Sequence, residues 1–377
     1  MKKVLAFTAL FTLAIGAGSV SAIQLTIEEQ MGRHVYMDKD LSLNRTQSCA
    51  TCHHRTAGFA DPTNSRDPYN TMVSLGDNGI SKGGRNAPTS AYAGFSPILH
   101  KVGDEYFGGM FWDGRKTGEV LLDPLAEQAQ GPPLNPVEMG LSLPGDVVIR
   151  VSESDYANLF INYFGDEFFN ILGIDDTDED PYDDAKADAA YAEIAKMVAA
   201  YERSAEVTAF SSKFDKGLTL TDQERSGQKL FNTYCSSCHT DTVQGTEPAP
   251  LFTNYGYVNI GVPVNDRLLL VPGTVYDAND LGLGPVVGEA AQNGKFKVPT
   301  LRNVAMTAPY SHNGYFTTLK EMVSFINNRG DLVPEIDQNV SDLVGSIGLG
   351  EQDIDDIVAF LNTLTDGAGK VRNGRDF

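Results

Sequence analysis

Helical spacing of apolar residues predicts two amphipathic helices, one in each half of the chain. The first apolar stripe is formed by Tyr191, Ile194, Val198 and Tyr201. Its spacing of three and four residues predicts a helix that ends near Ser204. The second stripe predicts a helix that closes the second half, and it is formed by Ile354, Ile357, Val358, Leu361 and Leu364.

Two further helices are predicted by polar residues at their starts. Glu29 follows Thr26 by three residues, and Glu224 follows Thr221 by the same distance. This is the spacing of a capping box, so we expect one helix from Thr26 to about Tyr36 and another from Thr221. Each helix leads into a similar cysteine motif. The chain is therefore predicted to hold two related domains, residues 23–210 and 211–377, with the boundary between positions 204 and 219.

The segment between the two cysteine motifs is less regular. Residues 55–185 are rich in Gly, Pro and Asn and have few long periodic runs, which indicates that much of the segment is loop. The acidic run from Asp175 to Asp184 contains Pro181 and lacks the Gly and the spacing of a calcium-binding loop. We therefore interpret this run as a solvated surface loop.

The N-terminus is typical of a secretory signal peptide. Lys2 and Lys3 precede an apolar run that is too short to span a membrane, and small residues lead to Ala22. We expect cleavage after Ala22, so that residues 1–22 are removed and the protein is exported to the periplasm. No later stretch has the length and apolar character of a transmembrane helix.

Composition narrows the choice of partners. The chain has 377 residues, 41% of them hydrophobic, which is enough material for two domains with cores of their own. Its formal net charge is −21, and loss of Lys2 and Lys3 would make it more negative still. This charge argues against nucleic acid or an anionic membrane surface as a partner.

The pattern Cys-x-x-Cys-His occurs twice and uses all four cysteines of the chain. The two motifs supply Cys49, Cys52 and His53, and Cys235, Cys238 and His239. Two cysteines at this spacing each form a thioether to one haem vinyl group, and the adjacent imidazole becomes the proximal iron ligand. A structural zinc site or a redox dithiol needs no histidine directly after the second cysteine. We therefore predict two covalent c-type haems on a mainly α fold of two tandem cytochrome c-like haem domains with long loops.

Several short motifs around the haem sites resemble those of the bacterial dihaem cytochrome c peroxidase / MauG family. Those in the first half are Asn86-Ala87-Pro88-Thr89, Phe111-Trp112-Asp113-Gly114-Arg115, Glu127-Gln128-Ala129-Gln130-Gly131-Pro132 and Pro136-Val137-Glu138-Met139. Those in the second half are Asn259-Ile260-Gly261-Val262-Pro263, Val298-Pro299-Thr300-Leu301-Arg302-Asn303-Val304 and Thr307-Ala308-Pro309-Tyr310-Ser311-His312-Asn313-Gly314. The resemblance runs from about residue 27 to about residue 365.

The resemblance implies catalytic roles for three residues. Trp112, the only tryptophan, would relay electrons between the haems, although a core aromatic is the plainer interpretation. Glu138 would be the distal carboxylate that takes a proton from peroxide and returns it to the departing oxygen, whereas a loop carboxylate is most often simply solvated. Gln128 would hydrogen-bond in the same pocket.

The axial ligands are where this sequence departs from the family. Many relatives cap the first haem with a histidine from the loop after the first motif, but no histidine occurs between Arg55 and Phe95. We therefore expect a five-coordinate or water-bound first haem, which is a MauG-like trait. At the position where relatives offer Met or Tyr to the second haem, this chain has Ile326, and Met322 lies one helical turn earlier. The sixth ligand of the second haem stays open.

The remaining candidate site residues concern hydrogen bonding and a cation. His312 matches a family histidine that hydrogen-bonds near the second haem, whereas His34, His54 and His100 match no functional position. In relatives, the residue matching Asn86 binds a calcium ion between the haems. Backbone carbonyls of Thr307 and Pro309 are the further ligands expected here, and such oxygen ligation suits a hard cation.

Three functions follow from these expectations. The first is reduction of hydrogen peroxide to water, with electrons from a small periplasmic donor (a cytochrome c or a cupredoxin) that enter at the C-terminal haem and cross by Trp112. The second is a MauG-like oxidation of aromatic side chains of a partner protein. The third, a plain electron carrier, would have no use for Glu138. The sequence does not identify the donor, and it leaves a homodimer open.

Overall fold

The computed structural model describes residues 23–173 and 181–367. The predicted signal peptide and most of the acidic run lie outside the described residues. The helices are α1 (Ile27–Met37), α2 (Cys49–Cys52), α3 (Pro62–Arg66), α4 (Pro124–Ala129), α5 (Gly131–Leu134), α6 (Pro144–Ser152), α7 (Ala157–Phe164), α8 (Asp184–Arg203), α9 (Asp222–Tyr234), α10 (Asp266–Leu269), α11 (Leu283–Val287), α12 (Leu319–Asn327) and α13 (Glu351–Asn362). The fold is mainly α, as predicted.

Strands are few and short in the part of the chain that the structure describes. They are β1 (His100–Val102), β2 (Glu105–Phe107), β3 (Tyr257–Val258) and β4 (Phe296–Lys297). β1 pairs with β2 and β3 with β4, both antiparallel, with His100 opposite Phe107 and Tyr257 opposite Lys297. Long loops connect most of these elements, and the two cores are formed by helices together with loop residues such as Tyr92, Leu141 and Phe252.

The helices that were predicted from local pattern are present. The Thr26 hydroxyl accepts from the Glu29 backbone N–H, and the Glu29 carboxylate accepts from the Thr26 backbone N–H, which starts α1. Thr221 and Glu224 start α9 with the same pair of bonds. α8 ends at Arg203 with Ser204 as its C-cap, and α13 contains most of the second apolar stripe. All four predicted helices are confirmed.

We call the part of the described chain that holds Cys49 the first unit and the part that holds Cys235 the second unit, and each is built on one helix crossing with a glycine at the point of closest approach. α1 packs on α8 in the first unit, and α9 packs on α13 in the second. A Cβ atom at Gly32 would lie 1.8 Å from the Met197 carbonyl oxygen, and one at Gly227 would lie 1.8 Å from that of Asp356. Only glycine allows the two backbones to approach so closely. The two crossings are therefore equivalent, and they relate residues of one unit to residues of the other.

The segment after the first cysteine motif holds more helix than its composition indicated. α6 and α7 pack in the first core, where Val148 and Phe160 are fully buried. An aromatic cluster surrounds α7 and consists of Phe160, Phe164, Phe168 and Phe169. Much of the described part of residues 55–185 is loop, as predicted, and α6 and α7 are helices within it that the composition did not indicate.

The two units also contact each other through charged side chains. Arg85 of the first unit pairs with Asp280 of the second at 2.6 Å from Nε. The Tyr92 hydroxyl donates to the Asp366 carboxylate at 2.6 Å. Among the described helices, none is both long and apolar enough to cross a membrane.

Candidate functional site

The first cysteine motif folds as a single helical turn. Cys49 and Cys52 lie at the two ends of α2, and the His53 backbone N–H donates to the Cys49 carbonyl at 2.9 Å. The second motif closes the same way, with His239 N–H donating to the Cys235 carbonyl at 2.9 Å. The four cysteines form no disulfide with one another, and each is half-buried. Each motif thus presents two thiols and one imidazole within one turn of chain.

Both motif histidines are oriented by a hydrogen bond to a backbone carbonyl. His53 Nδ1 lies 3.2 Å from the Phe59 carbonyl oxygen, and His239 Nδ1 lies 2.9 Å from that of Phe252. Both phenylalanines have left-handed backbones, with φ of 62° and 55°. Because Nδ1 is occupied, Nε2 is the nitrogen left to bind iron. Burial lowers the pKa of both imidazoles, which favours the neutral form that a metal needs.

Two threonines fix the loops that carry these carbonyls. The Thr89 hydroxyl donates to the Gly58 carbonyl at 2.6 Å, and the Thr300 hydroxyl donates to the Leu251 carbonyl at 2.6 Å. Each threonine follows a proline whose backbone interacts with the motif histidine, Pro88 in the first unit and Pro299 in the second. The same arrangement of backbone and threonine therefore supports the motif histidine in both units.

A cavity of about 330 Å³ surrounds the second motif. Its wall includes Cys235, Cys238 and His239, and the first unit contributes Asn86 and Trp112. α12 contributes apolar side chains, which are Leu319, Met322, Val323 and Ile326. An apolar cavity with two thiols and a neutral imidazole is what a covalently bound haem requires, so these residues fit the group.

Met322 and Ile326 both face this cavity and also pack on an apolar cluster that contains Val262, Phe316 and Phe325. Ile326 has no atom that can bind iron. Met322 carries the one ligating atom among the cavity residues of α12, and its packing is equally that of a core methionine.

Trp112 lies in the wall between the two units. Its Nε1 donates to the Asn86 carbonyl at 2.9 Å, and its own carbonyl accepts from the Lys297 backbone N–H at 2.8 Å. The next residue, Asp113, is buried and pairs with Arg85 at 2.6 Å and with Arg115 at 2.8 Å. The ring is thus held by the first unit and the backbone of the same residue by the second, at the cavity that His239 also lines.

His312 is the counterpart of Trp112 in the second unit. Trp112 lies in a turn closed by a bridge between Met110 and Lys116, and His312 lies in one closed between Tyr310 and Phe316. The His312 ring stacks on Phe296 with centroids 3.6 Å apart, and its Nε2 lies 3.1 Å from Glu335 Oε2. His312 also lines the cavity around the second motif, close to where its hydrogen bonding near the second haem is expected.

Glu138 lies in the loop after α5, beside the first motif. Asn135 Nδ2 donates to its Oε1 at 2.7 Å, and its backbone carbonyl accepts from Asp77 N–H at 2.7 Å. Burial raises the pKa of the Glu138 carboxyl, and Arg115 and Asn135 partly offset that rise. Burial also raises the pKa of the Cys49 and Cys52 thiols, and the Glu138 carboxylate adds to both shifts. Glu138 is thus a partly buried acid within electrostatic reach of the first attachment motif.

The other predicted site residues are placed less decisively. Gln128 lies on α4, and its side chain makes no hydrogen bond within residues 23–173 and 181–367. Asn86, Thr307 and Pro309 line one cavity, and Asn86 Nδ2 donates to the Met72 carbonyl, which leaves Oδ1 for a cation. No cluster of three or more His, Cys, Asp or Glu that could hold a metal occurs among the described residues.

The three histidines without an assigned role lie at or near the surface. His34 and His100 are exposed, the former stacked on Tyr156 and the latter hydrogen-bonded to the Ile98 carbonyl. His54 is half-buried, and its Nδ1 lies 2.7 Å from the Thr56 hydroxyl. Their surroundings agree with satisfied surface positions.

Sequence reasoning gave no role to three residues that shape these sites. Asn135 holds Glu138, and Arg115 lowers the pKa of its carboxyl. Lys297 inserts its ammonium beside the Ser96 hydroxyl and the Gly109 carbonyl, and burial lowers its pKa to about 7. Arg115 and Lys297 stand in or next to the motifs that carried the resemblance, but nothing in the sequence showed which groups they meet.

Comparison with known families and structures gives consistent matches. A family model described as di-haem cytochrome c peroxidase matches residues 27–223, and one described as cytochrome c matches residues 224–365. The chain is 37% identical over 362 residues to the methylamine utilization protein MauG of Paracoccus denitrificans, with 89% of this chain and 88% of that protein covered.

A second relative and a solved structure are also similar. The chain is 30% identical over 347 residues to the cytochrome c peroxidase Ccp of Escherichia coli, with 89% of this chain and 57% of that protein covered. The crystal structure of the diheme peroxidase BthA from Burkholderia thailandensis superposes with a TM-score of 0.73 at 29% identity, with 91% of this chain and 87% of that chain covered.

Proposed function

Because this chain belongs to the di-haem cytochrome c peroxidase and MauG family of enzymes, we propose that it is a periplasmic peroxidase that reduces hydrogen peroxide to water. Each turnover takes up two electrons and two protons per peroxide and releases two waters. A small periplasmic electron donor, a cytochrome c or a cupredoxin, would supply the electrons at the C-terminal haem. The observation that carries the proposal is the partly buried Glu138 carboxyl beside the first attachment motif.

The residues of the first unit have distinct tasks in this reaction. Cys49 and Cys52 would hold the first haem and His53 would bind its iron, which supplies the redox chemistry. Glu138 accepts a proton from the attacking peroxide oxygen at its carboxylate and returns it to the departing oxygen. Asn135 orients the carboxylate by its bond to Oε1. Gln128 is a further candidate for this pocket.

Electron supply would use the second unit and the wall between the units. Cys235, Cys238 and His239 would hold the second haem, and Trp112 would pass electrons across. The indole Nε1 donates to the Asn86 carbonyl of the first unit, and the Trp112 backbone carbonyl accepts from Lys297 of the second, which fixes the residue in the cavity wall. A rigid aromatic ring loses little energy to reorganisation when it is transiently oxidised, which supports the relay role.

A calcium ion between the units is part of the same proposal. Asn86 Oδ1 and the carbonyls of Thr307 and Pro309 would bind it, all from residues that line one cavity. Oxygen atoms alone form this set, as hard cations prefer. Export by the predicted signal peptide at residues 1–22 would place the enzyme where c-type haems and small electron donors occur.

A MauG-like reaction is the second candidate. One argument for it is the 37% identity to MauG of Paracoccus denitrificans, and another is the absence of histidine between Arg55 and Phe95. Without such a capping residue, the first haem would react with peroxide as isolated. The electrons would then come from an aromatic side chain of a partner protein instead of a small donor.

Steady-state turnover separates these functions. The exported protein is mixed with hydrogen peroxide and a reduced small cytochrome c, without prior reduction of the enzyme. Continuous oxidation of the cytochrome is expected for a peroxidase. Reaction with peroxide but no oxidation of any small donor would favour the MauG-like function, and no reaction with peroxide would leave a plain electron carrier.

A further inference from the structure

Glu202 is a buried carboxyl that the proposed peroxide chemistry does not use. It lies in the last turn of α8 and is 4% exposed. Its Oε2 is buried and has no hydrogen-bond partner among the described residues. A carboxylate in such a place costs free energy unless it is paired or takes up a proton.

The charged and titratable groups around Glu202 do not neutralise it. Arg203, its neighbour on α8, gives both terminal nitrogens to Asp123 at 2.8 Å. α1 presents Tyr36 and α2 presents Cys49, and Glu202 adds to the raised pKa of both. Burial raises the pKa of Glu202 to about 8, with Arg203 only partly offsetting it. The carboxyl is therefore mostly protonated at neutral pH.

A chain of hydroxyl groups connects Glu202 to the first motif histidine. The Ser90 hydroxyl interacts with the Glu202 carboxyl and lies 2.9 Å from the Tyr36 hydroxyl. The Tyr36 hydroxyl donates to the His53 backbone carbonyl at 2.8 Å. Tyr36 is fully buried, so this chain is shielded from water. A change of charge at His53 is therefore felt at Glu202 through a medium of low dielectric constant.

The second unit replaces every member of this chain by an apolar residue. Tyr36 is four residues after Gly32, and Phe231 is four residues after Gly227. Glu202 is five residues after Met197, which Gly32 meets, and Leu361 is five residues after Asp356, which Gly227 meets. Ser90 follows Pro88 by two residues, as Leu301 follows Pro299. Phe231 and Leu361 are buried members of the second core, and Leu301 packs against it.

We propose that Glu202 is a redox-linked proton site that serves the first haem alone. Peroxide takes up two electrons, of which a haem held by His53 would supply one and the path through Trp112 the other. As that haem gives up its electron, Glu202 would release one proton to solvent, so that the net charge of the interior stays unchanged. When the donor returns the electron, Glu202 takes one proton back. The inference rests on the proposed function, because it needs a haem at His53.

The physical reason is charge compensation in a dry interior. Oxidation of the first haem adds one positive charge, which lowers the pKa of an acid coupled to it. Glu127 shows the contrast, since its buried carboxylate accepts from the backbone N–H groups of Gly118, Val120 and Leu121 at 2.7–3.0 Å. The Oε2 atom of Glu202 has no such donor among the described residues.

The test is the reduction potential of each haem as a function of pH, measured by spectroelectrochemistry on the di-haem protein. For one electron and one proton, a tenfold change in proton concentration shifts the potential by about 59 mV. We expect the reduction potential of the first haem to fall as the pH rises, with a slope that approaches about 59 mV per pH unit around pH 8. The reduction potential of the second haem should change little with pH. Glu202→Gln should flatten the first slope.

A charge-matched control is the substitution Glu206→Gln. Glu206 lies four residues further along the chain, beyond the end of α8, where it is partly exposed and paired with Arg33, so it lacks the burial and the missing partner that mark Glu202. This variant should keep the wild-type slope. An unchanged slope in Glu202→Gln, or a flat profile for the first haem in the wild-type protein, would overturn the inference.

Infrared difference spectra of the wild-type protein give an independent readout that needs no variant to fold. Oxidation should remove a protonated-carboxyl band and produce a carboxylate band in the same step. Spectra without any carboxyl change would contradict the role of Glu202. Absence of the first haem from the isolated protein would instead refute the proposed function, so the two failures are distinguishable.

Discussion

The two haem units hold their cysteine motifs alike but surround them with different side chains. Both use a capped helix, a helix crossing at glycine and a histidine held by a phenylalanine carbonyl. In both, a threonine fixes the loop that carries this carbonyl. Glu138 and Asn135 lie beside the first motif, whereas apolar residues of α12 line the cavity around the second motif. The shared parts would hold haem, and the differing parts would decide what each haem does.

The side chains behind each motif, toward the interior of its unit, also differ between the two units. Tyr36, Ser90 and Glu202 form a polar chain behind the first motif, and Phe231, Leu301 and Leu361 fill the equivalent places behind the second. Reduction of peroxide moves protons, while electron transfer alone does not. The groups that can carry protons therefore lie in the unit where the proposed reaction consumes protons.

Removing the cysteines of one unit at a time should have the largest effect. Cys49→Ala with Cys52→Ala should leave only the second haem and abolish the reaction with peroxide. Cys235→Ala with Cys238→Ala should leave the first haem, which still reacts once but receives no electrons from a donor. Haem content by mass spectrometry and stopped-flow mixing with peroxide check both. Peroxide reactivity that follows the second haem would reverse the assignment of the units.

Trp112→Phe should slow electron transfer between the haems while both remain bound. Phenylalanine keeps an aromatic ring, but it is much harder to oxidise and loses the bond to the Asn86 carbonyl. A barrier raised by only 1.36 kcal/mol costs about tenfold in rate, so we expect at least about that loss. Stopped-flow spectra after mixing with peroxide report the oxidation of each haem. A wild-type rate would make Trp112 a core aromatic.

Asn135→Ala should move the pH profile of the peroxide reaction. The Asn135 amide stabilises the ionised form of Glu138, so its loss raises the pKa of a carboxyl that burial has already raised. A hydrogen bond to a charged group is worth about 1.5–3 kcal/mol, or about one to two pKa units. The acidic limb of the rate profile should therefore shift to higher pH. An unshifted limb would remove Glu138 from the rate-limiting proton transfer.

Thr26→Ala and Thr221→Ala should give the smallest and most equal effects. Each removes the hydroxyl of one capping box at the start of the equivalent helix α1 or α9. Loss of such a cap costs about 1 kcal/mol. Chemical unfolding should show similar losses for the two variants, without any change in haem content. A loss confined to one variant would mean that the two scaffolds are not energetically alike.

Local sequence signals predicted the parts of the fold that are decided locally. The capping boxes of α1 and α9, the stripes of α8 and α13 and the two cysteine motifs each act within one or two helical turns. α7 was missed because Tyr156 at its start makes no side-chain cap, so nothing local marks where the helix begins. Its aromatic residues form a cluster only after the chain has folded back on itself.

The site was predictable by residue type more than by contact. Motif resemblance pointed to Trp112 and Glu138, but Asn135 is recognisable as the partner of Glu138 only from the loop geometry. Glu202 carries no sequence signal, since a glutamate near the end of an amphipathic helix is usually solvated. The burial of Glu202, and the lack of a hydrogen-bond partner for its Oε2 among the described residues, depend on how α1, α2 and α8 pack together.

The side chains that α12 presents to the cavity around the second motif are apolar and supply no acid. We propose that peroxide cleavage is driven by an acid of the first unit, Glu138. Glu138→Gln tests it most directly, because the amide keeps the shape of the carboxylate but cannot accept and return a proton. The measurement is the rate of the haem absorbance change after mixing with peroxide, at equal haem content, with the exposed Glu119→Gln as control. We expect a loss of about 10²–10⁴-fold for Glu138→Gln alone. A rate within about twofold of wild type, far below the range for acid–base catalysis, would contradict the claim.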